Sequence, residues 1–242
     1  MKAMIFAAGL GTRLRPLTDD RPKALVELAG QTLLERTIRR LMRQGVEEIV
    51  INIHHFGQQI IDFLASRDHF GIRIHISDER GELLDTGGGL KHAAAWLSDA
   101  PFTVHNVDIL TDLDLRALYA AHLEQRALAT LAVRDRETSR YFLFDEAQQL
   151  CGWHHAYKDI YRFCRPVENY TAKAFSGIHI ISPEIFDLMP EVTAFSIVDL
   201  YLDLGKDHRI LAYPHSEDRW IDVGKPHHLA AAAELLDDDG IK

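Results

Sequence analysis

The chain has 242 residues, 47% of them hydrophobic, enough to bury a full core in one large domain or two small ones. Its formal net charge of -9 argues against nucleic acid as a bulk partner, because such proteins usually present a basic face. No apolar run approaches the roughly eighteen residues that a membrane helix requires, and two cysteines, Cys151 and Cys164, give no disulfide framework, so a reduced pair is expected.

In chain order, Met4-Ile5-Phe6-Ala7-Ala8 reads as a buried strand. The start, Met1–Ala8, has a single basic residue and an apolar stretch too short for a signal peptide, so the expectation is the first strand of a cytoplasmic protein. Gly9-Leu10-Gly11-Thr12-Arg13 follows, where two glycines let the backbone turn tightly and bring its N–H groups close to an anion. Arg13, Arg15, Arg21 and Lys23 then concentrate positive charge, a layout suited to polyphosphate. It is not the dinucleotide fingerprint, because Leu14 stands where the third glycine should be. Nor is it the P-loop, because Pro16 and Pro22 are expected to hold the chain extended.

Thr32 and Glu35 form a capping box ahead of a helix with Leu34, Ile38, Leu41 and Met42 on one face, ended by Gly45. Strand Ile49–Ile53, an amphipathic helix marked by Ile60, Ile61 and Leu64, and strand Ile72–Ile76 follow. Next come a helix over about Gly89–Leu97, strand Phe102–Val107, helix Leu115–Glu124 and strand Ala129–Val133. Such alternation implies βαβ units and a mostly parallel sheet, an α/β sandwich related in plan to dinucleotide-binding folds. Residues 135–175 are polar and aromatic and read as a β-rich insertion lying over one end of the sheet as a small lid. Order resumes with strand Phe175–Ile181, helices near Glu184–Met189 and Ser196–Leu204, strand Ile210–Tyr213 and a helix over Pro226–Leu236, before a tail, Asp237-Asp238-Asp239-Gly240, expected to fray. The expectation is one domain over 1–242 with the 135–175 insertion inside it.

The stretch Phe6–Thr18 with Pro22-Lys23 closely resembles the opening signature of the sugar-1-phosphate nucleotidyltransferases, (L/F)AAG-x-G-(T/S)-R-(L/M)-x-P-(L/M)-T followed by P-K. That resemblance implies a Rossmann-like three-layer α/β/α sandwich with a mostly parallel mixed sheet. It also implies that Ala8, Gly9, Gly11, Thr12, Arg13 and Lys23 meet a nucleoside triphosphate. Asp108, directly after a strand, matches the aspartate that in the family coordinates the catalytic Mg²⁺, with Val107 where glycine is usual. A β-branched residue does not easily adopt positive φ, so this departure puts the local backbone in question. Asp222, in Trp220-Ile221-Asp222-Val223-Gly224-Lys225-Pro226, matches the second metal-binding aspartate in W-x-D-(V/I)-G-(T/K)-P. Two carboxylates from distant strand ends suit Mg²⁺, which takes oxygen ligands together with phosphate oxygens and water. Asp112 and Asp114 are better read as turn or cap residues.

Thr86-Gly87-Gly88-Gly89 resembles the segment whose backbone, at Gly88 here, lies against the nucleobase, although a triple glycine alone is more often a flexible turn. Ala174–Ile178 resembles the segment of the sugar pocket, placing Gly177 there; Asn106, Tyr141 and Glu168 are the further sugar-side candidates, each of the last two more often packing or surface. The pairs His54-His55, His154-His155 and His227-His228 lack zinc-site spacing. The short form is most similar to the N-acetylmuramate α-1-phosphate uridylyltransferases of cell-wall peptidoglycan recycling, where Ala7-Ala8-Gly9, Asn106, the triple glycine and a short C-terminus recur. An acidic residue expected near Tyr141 is absent. The implied reaction is transfer of UMP from UTP to N-acetylmuramate 1-phosphate, with Mg²⁺, by a monomer or homodimer. Other sugar 1-phosphates and phosphocholine with CTP stay open, as does a catalytically silent nucleotide-binding regulator; a dinucleotide-dependent oxidoreductase is disfavoured by the missing third glycine.

Overall fold

The computed structural model describes residues 1–237; of the tail expected to fray, Asp237 ends the last helix and residues 238–240 lie outside the described residues. The chain forms two compact units, one of Met1–Leu83, Val104–Asp114 and Asp218–Lys242, the other of Leu84–Thr103 and Leu115–Glu217.

In the first unit, β1 (Lys2–Phe6) starts two residues ahead of expectation, so Ala7 and Ala8 already lie past its end. A tight hairpin of β2 (Glu27–Leu28) and β3 (Gln31–Thr32) turns through Ala29 and Gly30, both at positive φ. It delivers Thr32 to the start of α1 (Leu33–Arg43), where the Glu35 amide donates to Thr32 Oγ1 at 3.1 Å. Only half of the expected capping box forms, because the Glu35 carboxylate accepts from Arg39 Nε at 2.8 Å instead of reaching back. Helix α1 buries Leu33, Leu34, Ile38 and Leu41 completely, each contributing roughly 1.5–3 kcal/mol of apolar burial. Then come β4 (Glu48–Ile53), α2 (Gly57–Ser66) and β5 (Arg73–Asp78). β1 pairs β4 in parallel with Phe6 opposite Asn52, and β4 pairs β5 in parallel with Asn52 opposite Ser77.

The chain next gives the second unit α3 (Asp85–His92) and α4 (Ala94–Leu97). The triple glycine therefore sits inside the first turns of a helix that begins four residues earlier than expected, and is not a flexible turn. A Cβ on Gly88 would stand 2.0 Å from the Thr193 carbonyl and one on Gly87 2.4 Å from the Phe195 ring, so these glycines let α3 pack directly on the 193–195 segment. The amides of Gly87 and Gly88 both donate to Phe195 O, at 2.8 and 3.2 Å. β6 (Phe102–Asn106) returns the chain to the first unit, where it lies beside β1, and is followed there by β7 (Ile109–Thr111).

The rest of the second unit is α5 (Leu115–Gln125), β8 (Ala129–Arg134), β9 (Arg140–Phe144), β10 (Leu150–His155), β11 (Ile160–Phe163), β12 (Thr171–Ile181), α6 (Ile197–Leu204) and β13 (Ile210–Pro214). Residues 135–175 supply β9, β10, β11 and the start of β12, joined antiparallel in the order β11-β10-β9-β12. β12 also pairs β8 antiparallel, and β8 pairs β13 in parallel. Pro183–Leu188, expected as an α-helix, is a 3-10 helix. His122 is buried between Thr130 Oγ1 at 2.9 Å and Ser182 Oγ at 3.0 Å, and burial lowers its pKa to about 4. The chain ends, back in the first unit, with β14 (Trp220–Asp222) and α7 (Pro226–Asp237). The expected α/β class with a mixed, mostly parallel sheet holds. Among the described residues no helix is long and apolar enough to cross a membrane.

Candidate active site

The strand ends of the first unit build the site. Just past β1, the amides of Ala7 and Ala8 donate to Asn52 Oδ1 at 2.7 and 3.3 Å, and Asn52 Nδ2 donates to Glu79 Oε1 at 2.8 Å, all buried. Asn52 and Glu79 lie at the carboxyl ends of β4 and β5, so this chain of hydrogen bonds ties three neighbouring strand ends together. Open sheets place their ligands at such ends. The Ala8 amide is thereby occupied, and the free turn begins at Gly9, where an added Cβ would meet nothing within 4 Å.

Gly11 adopts a left-handed φ of 64°, and a Cβ there would stand 3.0 Å from Lys23 Cβ and 3.1 Å from Thr18 Cγ2. Thr18 Oγ1 donates to Gly11 O at 2.9 Å, closing the loop. The loop is not extended throughout: 3-10 turns run over Thr12–Leu14 and Lys23–Leu25, while Pro22, ahead of the second, is extended at φ -70° and ψ 150°. Proline bars the interior of a long helix yet tolerates short turns. Thr12 and Arg13 are exposed, and Arg13 makes no hydrogen bond or ion pair among the described residues.

Asp108 follows β6. Val107 donates its amide to Phe6 O at 3.2 Å, is 3% exposed, and is not among the positive-φ residues, so a β-branched side chain fits that position without backbone strain. Asp222 arrives by a route that no periodicity announced. β7 and β14, three residues each, pair antiparallel with Ile109 opposite Asp222, and the Val223 amide donates to Asp108 O at 2.9 Å. A Cβ on Gly224 would stand 2.7 Å from Asp222 Oδ1, 2.9 Å from Arg13 Nη2 and 3.3 Å from Asp108 Oδ2. Three expected site residues from three parts of the chain therefore surround one glycine. Lys23 joins them through an ion pair from Nζ to Asp108 Oδ2.

The electrostatics divide the two carboxylates. Burial by itself would raise the Asp108 pKa, but the charge and hydrogen bond of Lys23 outweigh it and hold the group below the usual range. Burial raises the Asp222 pKa, and the neighbouring Asp108 charge and a hydrogen bond shared with Asp108 raise it further. A buried carboxylate, Asp108, and a half-buried one, Asp222, facing each other favour a proton or a cation between them. His105, in β6 three residues before Asp108, went unnoticed in the sequence: it is fully buried, its Nδ1 lies 2.8 Å from Asn106 O, and burial followed by the Arg40 charge pushes its pKa down to about 3. It is a neutral packing residue.

The sugar-side candidates divide between the units. Asn106, at the end of β6, belongs to the first, and its side chain makes no hydrogen bond among the described residues. Tyr141, Glu168, Gly177 and the base-side candidate Gly88 belong to the second. There the Tyr141 hydroxyl accepts from the Thr138 amide at 3.0 Å, Glu168 is exposed, and Gly177, at φ 76°, sits where the β12–β8 register shifts. Among the described residues no group of three or more His, Cys, Asp or Glu side chains is placed to hold a metal ion.

A parallel-stranded unit with an anion-ready turn, two cations and two facing carboxylates at its strand ends is the layout of a nucleotidyl transferase, and the chain belongs to that family: the nucleotidyl transferase sequence model matches residues 2–239. Within the family it is similar to the N-acetylmuramate alpha-1-phosphate uridylyltransferase of Caulobacter vibrioides, 37% identical over 97% of each chain. It is 33% identical to the enzyme of the same name from Neisseria meningitidis, over 97% of this chain and 98% of the relative. Its fold matches a UDP-glucose pyrophosphorylase from Acinetobacter baumanii with a TM-score of 0.79 at 17% identity, covering 99% of this chain and 95% of that one. The chain is a sugar-1-phosphate nucleotidyltransferase.

Proposed function

We propose that this protein transfers UMP from UTP to N-acetylmuramate 1-phosphate in the cytoplasm, releasing pyrophosphate and serving the recycling of cell-wall sugars. The names and full-length coverage of the relatives support the substrate pair. The observation that carries the chemistry is the meeting of Arg13, Asp108 and Asp222 around Gly224, with Lys23 on Asp108.

A sugar 1-phosphate is anionic at neutral pH, so its oxygen can attack the α-phosphorus without a protein base. The barriers are repulsion between two anions and the charge growing on the departing pyrophosphate, and both are lowered by fixed positive charge and positioning. Arg13, exposed and unpaired among the described residues, offers a rigid fork to the β- and γ-phosphate oxygens. Lys23, a compact charge held beside Asp108, would offer that charge to the transferring phosphate. The open space over Gly9 and the turn through Gly11 and Thr12 let backbone N–H groups approach the triphosphate.

The donor set at Asp108 and Asp222 fits Mg²⁺: both ligands are carboxylate oxygens, and burial first, then the Asp108 charge, raises the Asp222 pKa, a cost that a bound cation would relieve. When bound there, the ion supplies neutralisation of phosphate charge. Asp108 and Asp222 would hold it, with phosphate oxygens and water completing its shell. Val107, buried and unstrained, speaks against decay of this loop in a silent regulator. The test is pyrophosphate release across four nucleotides and a panel of hexose 1-phosphates and phosphocholine. The expected best pair is UTP with N-acetylmuramate 1-phosphate; no release with UTP and any hexose 1-phosphate would end the uridylyltransferase reading.

A further inference from the structure

Asp222 reaches Asp108 only because two three-residue strands pair across a sequence gap of more than a hundred residues, and pairing so brief supplies few ladder hydrogen bonds. What holds the far end of that ladder is a compact set of bonds between Asp112 and Arg219, the residues flanking β7 and β14. The Arg219 amide donates to Asp112 Oδ1 at 2.8 Å and its Nε to Asp112 Oδ2 at 3.0 Å. In return the Asp112 amide donates to Arg219 O at 3.2 Å, and Thr111 Oγ1 donates to the same carbonyl at 2.7 Å. The Leu113 amide donates to Thr111 Oγ1 at 3.2 Å, and from the helix side Arg40 Nη2 donates to Leu113 O, fixing this loop to α1. The carboxylate of Asp112 thus uses both oxygens on one partner, side chain and backbone together.

We propose that the Asp112–Arg219 pair is a positioning clamp that sets the separation of the Asp108 and Asp222 carboxylates, and so tunes the affinity of the divalent cation they are read to hold. The inference rests on that reading of the carboxylates. Neither clamp residue touches the reacting atoms: Asp112 is four residues from Asp108, and Arg219 three from Asp222, at the opposite end of the ladder from the carboxylates. Without the Asp112 carboxylate, β14 keeps its short ladder, the Val223–Asp108 bond and the bonds to Arg219 O, but loses the two bonds that fix its far end from the side-chain side, and Asp222 can drift while the rest of the unit keeps its fold. A chelating pair is sensitive to such drift, because a small octahedral ion demands near-ideal ligand placement.

The experiment measures Mn²⁺ binding by the loss of the free-ion electron paramagnetic resonance signal, with a non-hydrolysable UTP analogue present, alongside melting temperature. In Arg219→Ala and in Asp112→Ala the affinity should fall by about tenfold, the scale on which groups supporting metal ligands act. The double variant should lose no more than Asp112→Ala alone, since that change already removes both carboxylate bonds, of which Arg219→Ala removes only the side-chain one. Arg219→Lys should recover part of the affinity, and melting temperatures should stay within a few degrees of the parent. Where Arg219→Ala fails to fold, Asp112→Asn, which keeps shape and removes the charge, carries the same expectation. Affinity within twofold of the parent in the single variants overturns the clamp, as does a double variant whose loss equals the product of the two. Asp108→Asn separates the two claims: unchanged Mn²⁺ binding there refutes the carboxylate reading itself.

Discussion

The substitution Gly224→Ala isolates the geometry of the site with one methyl group. Gly224 does not have positive φ, so its backbone accepts alanine. The new Cβ would lie 2.7 Å from Asp222 Oδ1, 2.9 Å from Arg13 Nη2 and 3.3 Å from Asp108 Oδ2. Ordinary contact needs about 3.5 Å, so Asp222 must retreat by about 0.8 Å and Arg13 by about 0.6 Å. All three contacts are ends of side chains, which can rotate away, so the fold should survive. The catalytic geometry should not: misplacing reacting groups by about 1 Å can cost a hundredfold in rate. Pyrophosphate release at saturating UTP, sugar 1-phosphate and Mg²⁺ should therefore fall by roughly a hundredfold while the melting temperature moves little. Turnover within threefold of the parent, with the methyl present and the protein folded, would refute the claim that these groups act together around Gly224.

Three further outcomes are expected. Arg13→Ala and Asp108→Asn should each lower turnover by about a hundredfold or more, as measured at saturating substrate and metal, because both remove preorganised charge. Gly88→Ala should destabilise the protein by on the order of 3 kcal/mol in urea unfolding, since its Cβ meets backbone and cannot be accommodated by rotation; a stable variant with weakened UTP binding would instead favour a base-contacting role. For pH, His105 and His122 have folded pKa values of about 3 and about 4, below the ordinary 6.5. The unfolded chain takes up protons near pH 6.5 that the folded chain refuses, so the stability these groups contribute is present above pH 6.5 and is lost as pH falls toward 4 and then 3. Each adds about 1.4 kcal/mol per pH unit to the slope in that window, and His122→Gln should reduce the slope of urea-derived stability between pH 6 and 5.

Long periodic elements were legible from the residues because burial imposes their pattern: α1 with its Leu34, Ile38 and Leu41 face, and β4 with its β-branched run, lie within a residue or so of expectation. That Asp108 and Asp222 come together was expected as well, through motif and not through any local pattern. What escaped were features that exist only by tertiary pairing. β7 and β14 are too short to show a period, and their partnership spans the second unit's residues in the chain. The triple glycine looked like a turn because glycine disfavours helices, yet close approach of Thr193 and Phe195 makes small residues necessary within α3. Gly224 stood in the motif without a role until three side chains were seen to converge on it. Glu35 illustrates the same limit: its capping partner was visible, whereas the competing Arg39 won its carboxylate.

The proposed reaction requires Asp108 and Asp222 to hold a divalent cation jointly against the triphosphate. A crystal grown with Mn²⁺ and a non-hydrolysable UTP analogue tests it directly by anomalous scattering. One strong peak should lie within ligating distance of an oxygen from each aspartate and of a phosphate oxygen. A nucleotide bound elsewhere, or a peak that touches neither carboxylate, would contradict the account.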